Sequence, residues 1–231
     1  MRAGYAVLLG VLALIGTVVP LHQSWIRLPP NILPWAPITL DAPPGPLARF
    51  HINALTTDGP ACLNALDRSD LSYRRLAERP LNAGCGLETG VRPLRSQVTY
   101  NGSFQATCAL MAAQYWYEGV LRTLALRHFA SPLVRIDHLG TYACRNINSR
   151  PEGRRSQHAT ANAIDIAAFH LENGESIVIR RDWGKPTAKG LFLAEARDAA
   201  CGLFNAVLGP AYNAAHADHF HLDLGRFRVC R

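Results

Sequence analysis

Lysine is almost missing from this 231-residue chain, with 2 lysines beside 22 arginines. The formal charge of +7 is therefore guanidinium charge. No recognised nucleic-acid motif accompanies it, so nucleic acid is not an expected partner. Anionic wall polymer or lipid head groups suit that charge better, and arginines scattered over a solvated surface are its commonest cause. No two of the six cysteines, at 62, 85, 108, 144, 201 and 230, make a C-x-x-C pair, which argues against a thiolate metal site. No internal repeat, low-complexity tract or second linker appears after residue 47, which leaves one domain there.

Charge is also absent from residues 3–21. A helix of that length rises about 28 Å, close to the roughly 30 Å hydrocarbon core of a bilayer. A signal peptide is the rival reading because Arg2 gives a basic start, but no clear small-x-small cleavage site follows the apolar stretch. The expectation is an uncleaved anchor over 1–24: a single-pass transmembrane helix in the inner membrane, with the rest of the chain in the periplasm. Seven prolines between Leu28 and Pro46 fix φ and keep the backbone extended, so 25–46 is expected to be a stiff linker. The folded domain is expected over 47–231. Behind an export segment, an even cysteine set favours disulfides; at least two bridges are expected, with the pairing open. Cys108 and Cys201 lie in helix-like apolar runs, where a small buried thiol is the alternative.

Apolar residues at helical spacing predict a helix over Ser103–Phe129, capped by Ser103, and another over Leu191–Leu208 that stops before Gly209-Pro210. Strands are expected over Leu133–Leu139, Ala163–Phe169, Ser176–Arg181 and His219–Leu224. The Asn173-Gly174 pair predicts a tight hairpin turn, because both positions tolerate positive φ. Strand pairing through a tight turn means an antiparallel sheet. The expected class is α+β, with helices laid on that sheet.

Chemistry concentrates in two clusters, Ser156 to Asp165 and His216 to His221. A catalytic zinc takes three protein ligands, drawn from His, Asp and Glu, and leaves a fourth position open. His158, Asp165 and His221 supply that set. Alternation sends Ile164 and Ile166 into a core and Asp165 to the other face. It likewise separates Phe220, Leu222 and Leu224 from His219, His221 and Asp223. Side chains two apart on a strand stand roughly 6.6 Å from each other, so one imidazole can bind metal while another faces the open position. A lone histidine on such a strand is more often a packed residue, and His22, His51, His128, His138 and His170 are read that way.

With those residues laid out, the chain resembles the bacterial extensin-like C-terminal domain family from about residue 50 to the end. The stretches that carry the resemblance are Cys85-Gly86 with Gly90-Val91-Arg92, Ala106-Thr107-Cys108, Gly140-Thr141-Tyr142-Ala143-Cys144-Arg145, Asn162 to Ala167, Asp182-Trp183, and Leu208 to Asn213 running into His216 to Asp223. The metal half is also similar to the zinc D-Ala-D-Ala peptidases and the penicillin-insensitive murein endopeptidases, which share a fold with the hedgehog signalling domain. Their pattern S-x-H-x-x-G-x-A-x-D maps onto Ser156, His158, Ala163 and Asp165, with Ala161 at the glycine position. The pattern H-x-x-H-x-H maps onto His216, His219 and His221. The resemblance implies that His158, Asp165 and His221 are the metal ligands.

The expected function is zinc-dependent hydrolysis of peptidoglycan stem peptides, as a carboxypeptidase or endopeptidase. Asp218 and His219 compete for the role of general base, and Asp218 has the alternative of orienting an imidazole. Arg145, His216 and Ser156 are placed on the substrate side; Arg145 is suited to a carboxylate or oxyanion, or is a structural cation beside Cys144. Asp182, Trp183, Tyr142 and Tyr212 are read as structural. Two other classes remain open: a wall- or partner-binding module without turnover, and a disulfide-stapled structural domain whose histidines are packed. The bond cleaved and the oligomeric state are not encoded legibly.

Overall fold

In this computed structural model the described residues are Tyr5, 8–13, Gly16 and 29–231. Among them no helix is long and apolar enough to cross a membrane; most of the expected anchor lies outside the described residues. Helices α1 (Ala48–Leu55) and α2 (Gly59–Asp67) precede a run of short strands, β1 (Ser72–Arg75), β2 (Arg79–Asn82), β3 (Cys85–Leu87), β4 (Gly90–Arg95), β5 (Thr99–Tyr100) and β6 (Ala106–Thr107). The central helix α3 (Cys108–Phe129) and strand β7 (Leu133–Gly140) follow. Beyond them come β8 (Ala163–Leu171), β9 (Ser176–Val178), the one-turn α4 (Ile179–Asp182), α5 (Ala188–Ala200), β10 (Ala206–Leu208), β11 (Phe220–Asp223) and β12 (Val229–Cys230).

The main sheet has seven strands in the order β12-β10-β11-β8-β7-β5, with β9 also paired to β8. Most pairs are antiparallel; β5–β7 and β10–β12 are parallel. Two smaller sheets, β1-β4-β6 and β2-β3, stand apart. The α+β class therefore holds. One face of the main sheet packs on α3 and α5 through fully buried Ile164, Ile166, Phe169, Phe192, Phe220 and Leu222. Tyr117 ties the two helices, its hydroxyl donating to Ala196 O at 3.0 Å.

Several expected boundaries move. Helix α3 starts five residues after Ser103, because Ala106 and Thr107 pair with Val91 and Gly90, and Thr107 then caps the helix by accepting from Leu110 N. The second helix begins earlier than Leu191, with Thr187 as its cap, and ends at Ala200. Ala206–Leu208 continue the apolar run but form β10 against β11; a short apolar run fits either period. Strand Ser176–Arg181 stops at Val178, whose N–H donates to Asp182 Oδ2 and starts the turn α4. In the hairpin, Gly174 alone takes positive φ, +86°, and Leu171 N donates to Glu175 O. That is a three-residue loop with a left-handed glycine rather than a two-residue mirror-image turn.

The proline-rich stretch is not a free spacer over its described length. Asn31 clamps it by bonding Thr39 and Pro43, Ile38 and Leu40 are buried, and α3 holds it through Trp116 Nε1 to Ala42 O and the Tyr115 hydroxyl to Asp41. Three disulfides, Cys62–Cys108, Cys85–Cys144 and Cys201–Cys230, use all six cysteines. Cys108 and Cys201 are therefore bridged, not lone apolar thiols.

Candidate metal centre

Strands β8 and β11 pair in a register that sets His221 directly opposite Asp165. Because neighbouring residues on a strand face opposite ways, Ile164, Ile166, Phe220 and Leu222 fill the core while Asp165, His221 and Asp223 share the other face. The third group arrives from a single 3-10 turn, Gln157–Thr160, where Ser156 Oγ accepts from His158 N at 3.3 Å. The turn closes on Ala161 with φ +52°. Glycine is the residue that enters that conformation without strain; here an alanine holds the left-handed bend.

The three side chains converge. His158 Nε2 lies 3.1 Å from Asp165 Oδ2 and 3.2 Å from His221 Nδ1, and His221 Nδ1 lies 2.9 Å from Asp165 Oδ1. Ligand atoms about 2.0–2.1 Å from a tetrahedral zinc stand about 3.3 Å from one another, so the spacing fits that ion with a slight expansion. The outer ring nitrogens are also committed. His158 Nδ1 faces the carbonyl oxygen of Thr141 at 3.2 Å, and His221 Nε2 faces Asp223 Oδ2 at 2.9 Å. A carbonyl and a carboxylate only accept, so both outer nitrogens donate, and the inner nitrogens, His158 Nε2 and His221 Nδ1, face the Asp165 carboxylate. Three such atoms this close are held together either by a proton shared between imidazole and carboxylate or by a metal ion.

The electrostatics agree. Burial pushes the Asp165 carboxyl up, but hydrogen bonds from His158 and His221 outweigh it and hold the group well below the usual carboxylate range. For His221, burial disfavours charge, yet Asp165 and Asp223 raise it to about 9. The carboxylates that retain a proton there are the ones that would retain a metal ion. Asp223 was not among the expected site residues. Its signal is present in the sequence, since His-x-Asp on a strand places both side chains on one face.

The remaining residues surround this centre. Asp218 and His219 are in series: Asp218 Oδ1 is 2.8 Å from His219 Nδ1, and His219 Nε2 is 3.7 Å from Asp165 Oδ1. Asp218 is half exposed, and its carboxyl is lowered by the bond to His219. His216 bonds Asn213 Oδ1 through Nδ1, and its ring centroid lies 5.2 Å from that of His219 and 5.9 Å from that of His221. Burial, with His221 and His219 beside it, lowers His216 to about 4. Arg145 is exposed, donates to Ser149 Oγ and has its side chain on the cleft wall. Ser156 also lines the cleft, with its hydroxyl engaged at the His158 turn. The cleft encloses about 840 Å³ and has Asp165, His158, His219 and His221 in its lining. The Cys85–Cys144 bridge pins the loop that supplies the Thr141 carbonyl and Arg145. Asp182 and Trp183 lie away from it: Asp182 holds Arg181 and Val178, and Trp183 packs edge-on against Phe220.

A family model described as "Extensin-like protein C-terminus" matches residues 60–231, and the chain belongs to that family. No curated protein and no solved structure matches it.

Proposed function

We propose that this extensin-like family member is a zinc-dependent hydrolase of peptidoglycan stem peptides, built on a hedgehog/DD-peptidase-like fold and held at the periplasmic face of the inner membrane by its N-terminal segment. The observation that carries the reading is the convergence of His158, Asp165 and His221 with both outer imidazole nitrogens already bonded. The uncharged run at residues 3–21 supports the location, and the two peptidase-like patterns support the substrate class.

Zinc in this site would supply Lewis acidity and bring water's pKa towards about 7. His219 acts as general base: Asp218 holds a proton on Nδ1, so Nε2 is free to take one from the attacking water and later return it to the leaving amine. Asp218 is the positioning partner of that imidazole. Arg145 neutralises a substrate carboxylate or the developing oxyanion. His216, neutral at pH 7, offers a substrate hydrogen bond.

A digest of purified muropeptides tests this. Metal-loaded protein is expected to release shortened or uncrosslinked peptides, and chelator or His219→Ala to abolish that release. Metal-loaded protein that binds sacculi and leaves every peptide bond intact would instead make this a wall-binding module. Two imidazoles and a carboxylate also accept iron or manganese, so elemental analysis of the purified protein decides the metal.

A further inference from the structure

The cleft has a second chemical feature beside the metal ligands. Five arginines line it: Arg145, Arg154, Arg155, Arg226 and Arg228. Elsewhere on the domain arginines find acids, as in Arg75–Asp67, Arg127–Glu195, Arg135–Asp137 and Arg197–Asp198. Among the described residues none of the five in the cleft has a carboxylate partner. The two acids that line the cleft, Asp165 and Asp223, are engaged by the ligand imidazoles. The cleft therefore carries positive charge that no carboxylate pairs; Arg145, Arg154 and Arg155 are engaged by Ser149, the Phe227 ring, and Ala83 with Asn146, while Arg226 and Arg228 are exposed.

The sheet fixes where part of that charge lies. Leu208 is the register partner of His221, Ala206 that of Asp223, and Val229 that of Ala206. Register partners share a face, so Leu208, Ala206 and Val229 continue the metal-bearing face as a short apolar floor, and all three line the cleft. Arg226 and Arg228 are exposed on the loop between β11 and β12, where the floor ends. Two strand spacings, about 10 Å, separate β11 from β12, and Val229 stands two residues, about 6.6 Å, along from the rung of His221, so the arginine end lies roughly 12–14 Å from the metal ligands. An extended peptide advances about 3.3 Å per residue. Phe227, between the two arginines, is held by Arg154, whose guanidinium carbon sits 4.4 Å from the ring centroid.

We propose that the cleft binds an extended anionic peptide running obliquely over β11, β10 and β12, with Arg226 and Arg228 reading a carboxylate about four residues from the group at the metal. The inference deepens the peptide-hydrolase reading and takes its origin from the metal site, but it concerns binding and stands without turnover.

The test uses zinc-loaded full-length protein and fluorescein-labelled alanine peptides ending in a hydroxamate, a group that anchors on zinc. A single glutamate is placed two to five residues from the hydroxamate, with glutamine at the same place as its neutral pair. A second series carries the hydroxamate as an N-terminal malonyl group, which reverses the chain direction. Fluorescence anisotropy is expected to show roughly tenfold tighter binding of the glutamate peptide at a spacing of about four residues in one series. That preference should fall within about twofold in Arg226→Gln/Arg228→Gln, recover in Arg226→Lys/Arg228→Lys, and shrink with added salt. No glutamate preference at any spacing, or one that survives the double glutamine change, overturns the inference. Loss of the hydroxamate's advantage over a plain carboxamide would instead strike at the metal reading.

Discussion

Asp165 and His221 occupy one rung of the β8–β11 ladder, their side chains 2.9 Å apart although 56 residues separate them in sequence. Strand pairing alone thus delivers two of the three candidate ligands, and one short turn delivers the third.

Replacing any of the three should remove the ion while leaving the fold. His158→Ala, Asp165→Ala and His221→Ala are each expected to drop zinc from about one equivalent to below about a tenth. Elemental analysis reads this, and circular dichroism verifies the fold. Full zinc content in all three variants would end the metal reading.

Asp223 touches the ligand, not the ion's position. Asp223→Asn is expected to weaken zinc by roughly 10- to 100-fold, because the amide orients the His221 ring without the carboxylate's charge. A competitive chelator titration measures the shift.

The dyad predicts a graded pair. His219→Ala should lower muropeptide turnover by at least about 100-fold, and Asp218→Asn by less, with zinc content unchanged in both. An Asp218 variant more damaging than the His219 variant would reverse the order of roles.

Opening Cys85–Cys144 should loosen the site as well as the fold. The bridge spans 59 residues, which by chain-entropy reasoning contributes about 4 kcal/mol. Cys85→Ser/Cys144→Ser is expected to lower the urea midpoint and also zinc affinity, because the Thr141 carbonyl that holds His158 loses its anchor. Cys62→Ser/Cys108→Ser, at the junction of α2 with α3, should affect the midpoint and leave zinc affinity intact.

Glu118 gives a pH signature remote from the metal. It is fully buried in α3, where Ser96, Gln97 and Tyr100 all donate to it, and burial raises it from 4.5 to about 7. The folded state therefore binds the proton more tightly than the unfolded chain, and stability falls as pH rises from about 4.5 to about 7. The fall is on the order of 3 kcal/mol at most. Glu118→Gln, which keeps the shape, should flatten that part of the denaturation profile measured between pH 4 and 8.

Much of this architecture was legible because alternation is a strong signal: Ile164 and Ile166 around Asp165, and Phe220 and Leu222 around His221, fix which face each polar group takes. The partner of His158 Nδ1 was not legible, since a backbone carbonyl at Thr141 carries no residue signature. The folded course of residues 31–42 was hidden too, because proline content reports stiffness but not that Tyr115 and Trp116 wait to hydrogen-bond it. The apolar run Ala206–Leu208 read as the tail of a helix because three consecutive apolar residues are too few to distinguish a period of 2 from one of 3.6.

The loop that bears Arg226 and Arg228 is fastened at both ends. Asp223 Oδ1 accepts from Gly225 N at 2.7 Å on one side, and Cys230 is bonded to Cys201 on the other. A segment so short between two anchors can swing its guanidinium groups but has little freedom in its own path. Ligand capture at this end would therefore lose side-chain entropy alone, and the reach of the two arginines becomes a preset gauge of ligand length.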